Sequence, residues 1–219
     1  MSITDFLPFW EELDEEDRIL LKQHAQRLPV ASGTAFRETA DEPAGIMLIE
    51  KGLLRIYMLS AAGQEMTLYR LQAGEVCILP AAFLLPDLPF DIVAETERET
   101  ILWTLPARIF AQLAEHSLPV ARWNSRLLSD RLLTMTACIS QLLWKHLDSR
   151  LAGFLLEESR IEQTSSLRIT HERLAGHLGT AREVISRILQ HFQREGLVRL
   201  TRGTVEILDS EGLRRLSLL

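Results

Sequence analysis

Arg182, Glu183, Ser186, Arg187 and Gln190 lie close together and carry the hydrogen-bonding groups that match base edges. An arginine can donate a bidentate pair to guanine O6 and N7, a glutamate can accept from cytosine N4, and a serine can serve either kind of edge. Glu183, Ser186, Arg187 and Gln190 recur at i, i+3, i+4 and i+7, the spacing of one helix face. Val184, Ile185, Ile188, Leu189 and Phe192 take the other face for a core. A purely structural reading of the same side chains is also open. Glu183 stands three residues after Thr180 and would complete a capping box, and Arg187 at i+4 from Glu183 would form an ion pair.

The stretch from Thr170 to Leu189 predicts how that face is held. Thr170 caps a first helix marked by Leu174, Ala175 and Leu178, Gly179 supplies the positive φ of a tight turn, and Thr180 caps the second helix. Two segments, Leu197 to Leu200 and Thr204 to Leu208, flank Arg202-Gly203 as a final hairpin. An earlier helix is marked by Leu151, Phe154 and Leu155, so the whole C-terminal part predicts a winged helix-turn-helix. The net charge of −6 argues against general polyanion binding, but the segment Arg168 to Gly203 holds seven arginines against three glutamates. Arg168, Thr170, Thr180, Gln190 and Arg202 are the candidate DNA-backbone contacts, while Arg182, Glu183, Ser186 and Arg187 are the candidate base readers.

Upstream, the chain reads differently. Asp14 is a plausible cap for a short acidic helix, and strands are predicted to begin near Leu28-Pro29. Short apolar segments follow at Thr34 to Arg37, Ile46 to Glu50, Leu53 to Leu59, Glu65 to Leu71, Val76 to Leu79, Asp91 to Glu95 and Glu99 to Leu105, punctuated by glycines. Spacing this regular predicts a sandwich, barrel or roll. Beyond Pro106 the period becomes helical: Leu128, Leu132, Met135, Ile139, Leu142 and His146 form a 4-3-4-3-4 seam, as in a coiled coil. With Leu127, Leu133, Leu143 and Leu147 the apolar surface is wide enough for one side to dock on the β-domain and another on a second subunit.

Several classes are excluded or disfavoured. Cys77 and Cys138 stand 61 positions apart, which fits neither a disulfide framework nor a CxxC metal site, and four-cysteine iron–sulfur ligation is excluded. No P-loop, GxSxG, HExxH or metal-spaced His/Cys cluster occurs, so neither an enzyme nor a metal site is expected. The acidic N-terminal clusters and the lack of a long apolar run lead to the expectation of a cytoplasmic protein without a membrane partner.

Arg150-Leu151-Ala152, Ile169-Thr170, Leu174-Ala175, Leu178-Gly179, Arg182-Glu183, Ser186-Arg187 and Glu195 to Val198 resemble the DNA-binding domain of the Crp/Fnr regulators. Gly33, Gly52, Gly63 and Gly74-Glu75 resemble, more loosely, the glycine framework of that family's cyclic-nucleotide-type β-roll. The resemblance implies an α+β chain: a jelly-roll-like β-roll sensor over residues 1–116, a dimerisation helix over 117–146 with Leu128, Leu132, Met135, Ile139 and Leu142 in its seam, and a winged helix-turn-helix over 147–219. It further implies a homodimer on a palindromic operator, with RNA polymerase as a further partner. Glu183, Ser186 and Arg187 match the base-contacting positions of the Fnr branch, whose half-sites are of the TTGAT type. Arg182, Glu183 and Arg187 match those of the Crp branch, so the outermost base of the half-site stays open.

The effector departs from the family pattern. Members that bind cyclic nucleotides hold the phosphate with an Arg-Ser or Arg-Thr pair after Gly-Glu, whereas here no arginine lies between Arg70 and Arg98. A buried phosphate without a cation is costly, so cyclic AMP is not the expected effector. Gly74, Glu75, Cys77, Phe83, Leu85 and Phe90 are the candidate pocket residues; with Leu84 and Leu88 the aromatic and aliphatic members either surround a hydrophobic ligand or fill the space themselves. Cys77 in an apolar strand is expected to act as a small hydrophobe. The competing class is a haem- or ligand-binding sensor acting through protein partners, for which His24 and His116 are not favoured as ligands.

Overall fold

Asp14 opens the first α-helix, α1 (Glu15–His24), where its carboxylate accepts the Asp17 amide and three acidic residues complement the positive helix end. The computed structural model describes residues 2–36, 45–78 and 90–218. The chain divides into two compact units, Met1–Ala61 with Leu68–Met135, and Ala62–Thr67 with Thr136–Leu219.

Among the described residues the N-terminal part has eight strands: β1 (Gln26–Val30), β2 (Ala35–Phe36), β3 (Ile46–Lys51), β4 (Leu53–Ser60), β5 (Glu65–Gln72), whose first three residues fall in the second unit, β6 (Val76–Ile78), β7 (Phe90–Thr96) and β8 (Thr100–Leu105). They form two four-stranded sheets in the orders β1-β8-β3-β6 and β2-β7-β4-β5. The unbroken run Ile46 to Ile49 makes sense because β3 is buried on both faces. Met47 and Ile49 join Leu54, Ile56, Leu71, Cys77, Ala94 and Leu102 in a core drawn from both sheets, while Ile46 and Leu48 point to the other side. Gly52 links β3 to β4 at φ +111°, and a Cβ there would run into Thr100, so the turn demands glycine twice over.

The outer side of β3 packs against helices. Ile3, Phe6, Phe9, Leu21, Ile109, Phe110, Leu113 and Val120 cluster with Ile46 and Leu48, joining the N-terminal turns, α1, α2 (Ala107–His116) and the start of α3 (Leu118–Trp144). Trp123 is held edge-on by Phe9 at 5.2 Å and Phe110 at 6.0 Å, and Leu127 packs on the same cluster. His116 Nε2 lies 2.8 Å from the buried Asp17 carboxylate, tying α2 to α1.

Three features differ from the sequence expectation. β1 runs through Leu28-Pro29 instead of starting there; a proline is tolerated because β1 is an edge strand. The long helix stops at Trp144, and His146 becomes the N-cap of α4 (Leu147–Glu162), so the seam loses its last position. The chain also continues past the hairpin into α7 (Ser210–Ser217), capped by Asp209 accepting the Gly212 amide at 2.8 Å. Arg37 and Leu79, expected to end strands, lie outside the described residues.

Candidate nucleic-acid interface

The second unit places a polar helix face over a buried one. α5 (His171–Leu178) begins at Thr170, whose hydroxyl accepts the Arg173 amide at 3.1 Å. It ends at Gly179, which adopts φ +67° and returns its amide to the Ala175 carbonyl; the Thr180 amide bonds the same carbonyl at 3.1 Å. Arg150 of α4 donates to the Leu178 carbonyl at 2.8 Å, satisfying another helix-end acceptor. These contacts fix where α6 (Arg182–Arg194) starts.

Ala181, not Thr180, is the N-cap of α6, and no side chain bonds it. The turn closed by Gly179 uses Thr180 as part of the α5 terminus, which moves the helix start one residue on and puts Glu183 at the second helical position, out of capping-box register. Nor do Glu183 and Arg187 close an ion pair among the described residues. Both structural alternatives for these side chains are therefore absent.

Ile185, Leu189 and Phe192 are fully buried against Leu151, Leu155, Leu174, Leu178, Val198 and Val205. Arg182, Glu183, Arg187 and Gln190 are exposed on the opposite side, and Ser186 is half-buried between. At 13 residues, α6 is about 20 Å long, and a helix of that width fits a major groove about 12 Å wide. β10 (Val198–Thr201) and β11 (Thr204–Ile207) pair with Thr201 opposite Thr204, leaving Arg202-Gly203 as a two-residue turn with Gly203 at φ +73°. β11 also pairs with β9 (Ser166–Leu167). Arg202 stands exposed at the tip of this wing and Arg168 is exposed just after β9, while Thr170 is exposed and Thr180 half-buried.

Ser186 has a neighbour that the sequence did not reveal. His171 Nδ1 lies 2.7 Å from its hydroxyl, and burial, followed by the charge of Arg182, lowers the imidazole pKa. Residues 15 apart in sequence meet here because the two helices cross at a set angle, and no periodicity reports that.

In the first unit Gly74, Glu75 and Cys77, three of the candidate pocket residues, have ordinary structural roles. Glu75 is exposed and accepts the Gln72 amide at 2.7 Å, and Gly74 at φ +91° donates to the Ile49 carbonyl at 2.8 Å, so both build the β5–β6 turn. Cys77 is fully buried, and burial pushes its thiol up to about 12. Phe90 is half-buried at the start of β7; Phe83, Leu84, Leu85 and Leu88 lie outside the described residues. Arg70 is paired with Glu97 at 3.1 Å. Arg131 of α3, another residue missed in sequence, donates to the Val76 carbonyl at 2.7 Å and stands 5.1 Å from the Tyr69 ring centroid. On the same helix Leu128, Leu132 and Ile139 are 43%, 69% and 55% exposed, with Met135 and Leu142 half-buried.

A two-sheet β-domain, a long helix and a capped helix pair followed by a small wing define a winged helix-turn-helix regulator with an attached sensor-type roll. The comparisons name the same halves: a profile of the Crp-like helix-turn-helix domain matches residues 149–216, and one of the Cyclic nucleotide-binding domain matches residues 28–117. A crystal structure of a Crp/Fnr-family regulator from Eubacterium rectale aligns with TM-score 0.92 and 40% identity, over 98% of this chain and 100% of that one. The Cyclic AMP receptor protein of Thermus thermophilus is 28% identical over 210 residues, covering 96% of each chain. The c-di-GMP responsive regulator CLP of Xanthomonas campestris shares the fold at TM-score 0.70 and 24% identity, over 90% of this chain and 100% of that one. The chain belongs to the Crp/Fnr family of transcriptional regulators. Among the described residues no helix is long and apolar enough to cross a membrane.

Proposed function

We propose that two copies of this chain pair through α3 and read a palindromic, TTGAT-like operator, one α6 helix to each half-site, in response to a signal other than a cyclic nucleotide. The observation that carries the reading is the division of α6 into a buried apolar face and an exposed face of Arg182, Glu183, Arg187 and Gln190. Arg187 donates to a guanine edge, Glu183 accepts from a base and orients that arginine, and Ser186 contacts the same half-site. Arg168, Thr170, Thr180, Gln190 and Arg202 hold the phosphates and set register. Pairing is supported by the exposed leucines and isoleucine of α3, which water does not favour. RNA polymerase is the further partner of such an assembly.

The roll supplies the regulation. Arg70 is engaged by Glu97 and no other arginine precedes Arg98 in the stretch that would meet a cyclic phosphate. The test uses anisotropy on a duplex carrying two TTGAT-type half-sites one helical turn apart, against a duplex with one half-site scrambled. Loss of at least tenfold in affinity on scrambling is expected; equal affinities would refute dimeric reading. Calorimetry with cyclic AMP and cyclic GMP is expected to show no saturable binding, and micromolar binding of either would refute the assignment of the signal.

A further inference from the structure

Ser186 meets DNA with its hydroxyl already engaged. A neutral imidazole protonated at Nε2 accepts the Ser186 proton at Nδ1, which leaves the hydroxyl oxygen to accept from an adenine or cytosine amino group. An imidazole carrying a proton on Nδ1 donates to that oxygen instead and frees the O–H to donate to a purine N7, guanine O6 or thymine O4. The protonated ring can only donate. The 2.7 Å contact thus ties the kind of base edge Ser186 suits to the protonation of the His171 ring.

The surroundings favour the neutral ring. Its pKa is lowered, first by burial and then by Arg182, the charged group that α6 brings to it. Along α5 its charged neighbours Glu172 and Arg173 are exposed, and His177 is buried against Phe154 at 4.8 Å. From α4, Arg150 is committed to the Leu178 carbonyl at the far end of α5. Glu183, beside Arg182, is exposed.

Resting on the reading of α6 given above, we propose that His171 is a positioning residue for base recognition: through Nδ1 it fixes the rotamer and hydrogen-bond polarity of the Ser186 hydroxyl, and so sets the base edge that Ser186 accepts. The side chain acts through Ser186 and touches no base itself. Protonation of the ring fixes Nδ1 as a donor, which frees the Ser186 O–H to donate to DNA and spends one of its oxygen lone pairs on the ring.

The experiment is a panel of duplexes in which each position of the half-site is substituted in turn, titrated at pH 5.0 and pH 7.5 with the full chain. Wild type, Ser186→Ala, His171→Ala, His171→Asn and the Ser186→Ala/His171→Ala double variant are compared, each checked for a cooperative melt. His171→Ala is expected to reduce discrimination at the Ser186 position by roughly fivefold to tenfold, the scale of one lost base contact, and to leave the other positions alone. His171→Asn keeps a hydrogen-bonding group near the place of Nδ1 but does not titrate, so it retains the discrimination and loses the pH dependence. In the Ser186→Ala background, His171→Ala changes nothing further. A wild-type panel with clear base preferences that His171→Ala reproduces at both pH values, or lowers uniformly, overturns the positioning role while leaving α6 as the reader. A wild-type panel with no preference at any position overturns the reading of α6 itself, and this role with it.

Discussion

Burial holds the Cys77 thiol at about 12, so at pH 7.5 it stays protonated and shielded from solvent. Iodoacetamide is expected to leave Cys77 unlabelled in the native protein and to label it once urea opens the core; native labelling would contradict the packing described. His116 behaves in the opposite direction. Its hydrogen bond to Asp17 raises the imidazole pKa, so the folded state binds a proton more tightly than the unfolded chain. That contribution is complete below the ordinary histidine value near 6.5 and is lost as pH rises through the raised one. Thermal unfolding from pH 6 to pH 9 should show the wild type losing its advantage over His116→Gln across this window; parallel curves would contradict the tie between α1 and α2. Residue types along α6 were legible in sequence because helix periodicity sorts them onto faces. The contacts of His171 with Ser186 and of Arg131 with Val76 were not, since each joins elements whose crossing only packing defines.

At the scale of elements, period was a good guide wherever one face is buried. The 3.6-residue pattern located α6 and α3, and Gly179 located the turn, because each feature reflects a local steric or burial demand. Edges were harder. β1 was obscured by Pro29, and α7 by its short, charged sequence, whose place is set by Leu213 entering the core of the second unit. The cap of α6 fell at Ala181 because backbone bonds at the end of α5 outrank the preference of Thr180 for capping. The exposed stripe of α3 makes a prediction of its own. Replacing Leu132 and Ile139 together with lysine puts charge where an apolar seam should close, and it spares the buried residues near Trp123. Light scattering should change from a dimer to the 24.9 kDa monomer, with palindrome affinity falling toward that of a single half-site. A variant that remains dimeric would place the subunit contact elsewhere.

For the whole molecule, the family models divide the chain into a cyclic-nucleotide-binding-type domain and a Crp-like helix-turn-helix domain. How the signal is sensed was the least legible part. The sequence has no arginine between Arg70 and Arg98 and does not name a ligand; a relative named for cyclic AMP is similar in sequence, and a c-di-GMP responsive regulator shares the fold. The DNA-reading unit is the central claim, and its exposed arginines fall into two kinds. Arg187 is on the exposed polar face of α6, proposed to read bases, whereas Arg202 is at the wing tip. Truncating a bidentate base contact should cost about 1–3 kcal/mol per half-site and relax preference at one guanine. Losing a phosphate contact should weaken all sequences alike and flatten the salt dependence. The direct measurement is a titration of wild type, Arg187→Ala and Arg202→Ala against a TTGAT-type palindrome and a scrambled duplex at two salt concentrations. The account predicts that Arg187→Ala loses affinity on the palindrome and not on the scrambled duplex, while Arg202→Ala loses it on both with a shallower salt slope. Equal losses on both duplexes for Arg187→Ala, or no loss on either, would contradict α6 as the reading helix.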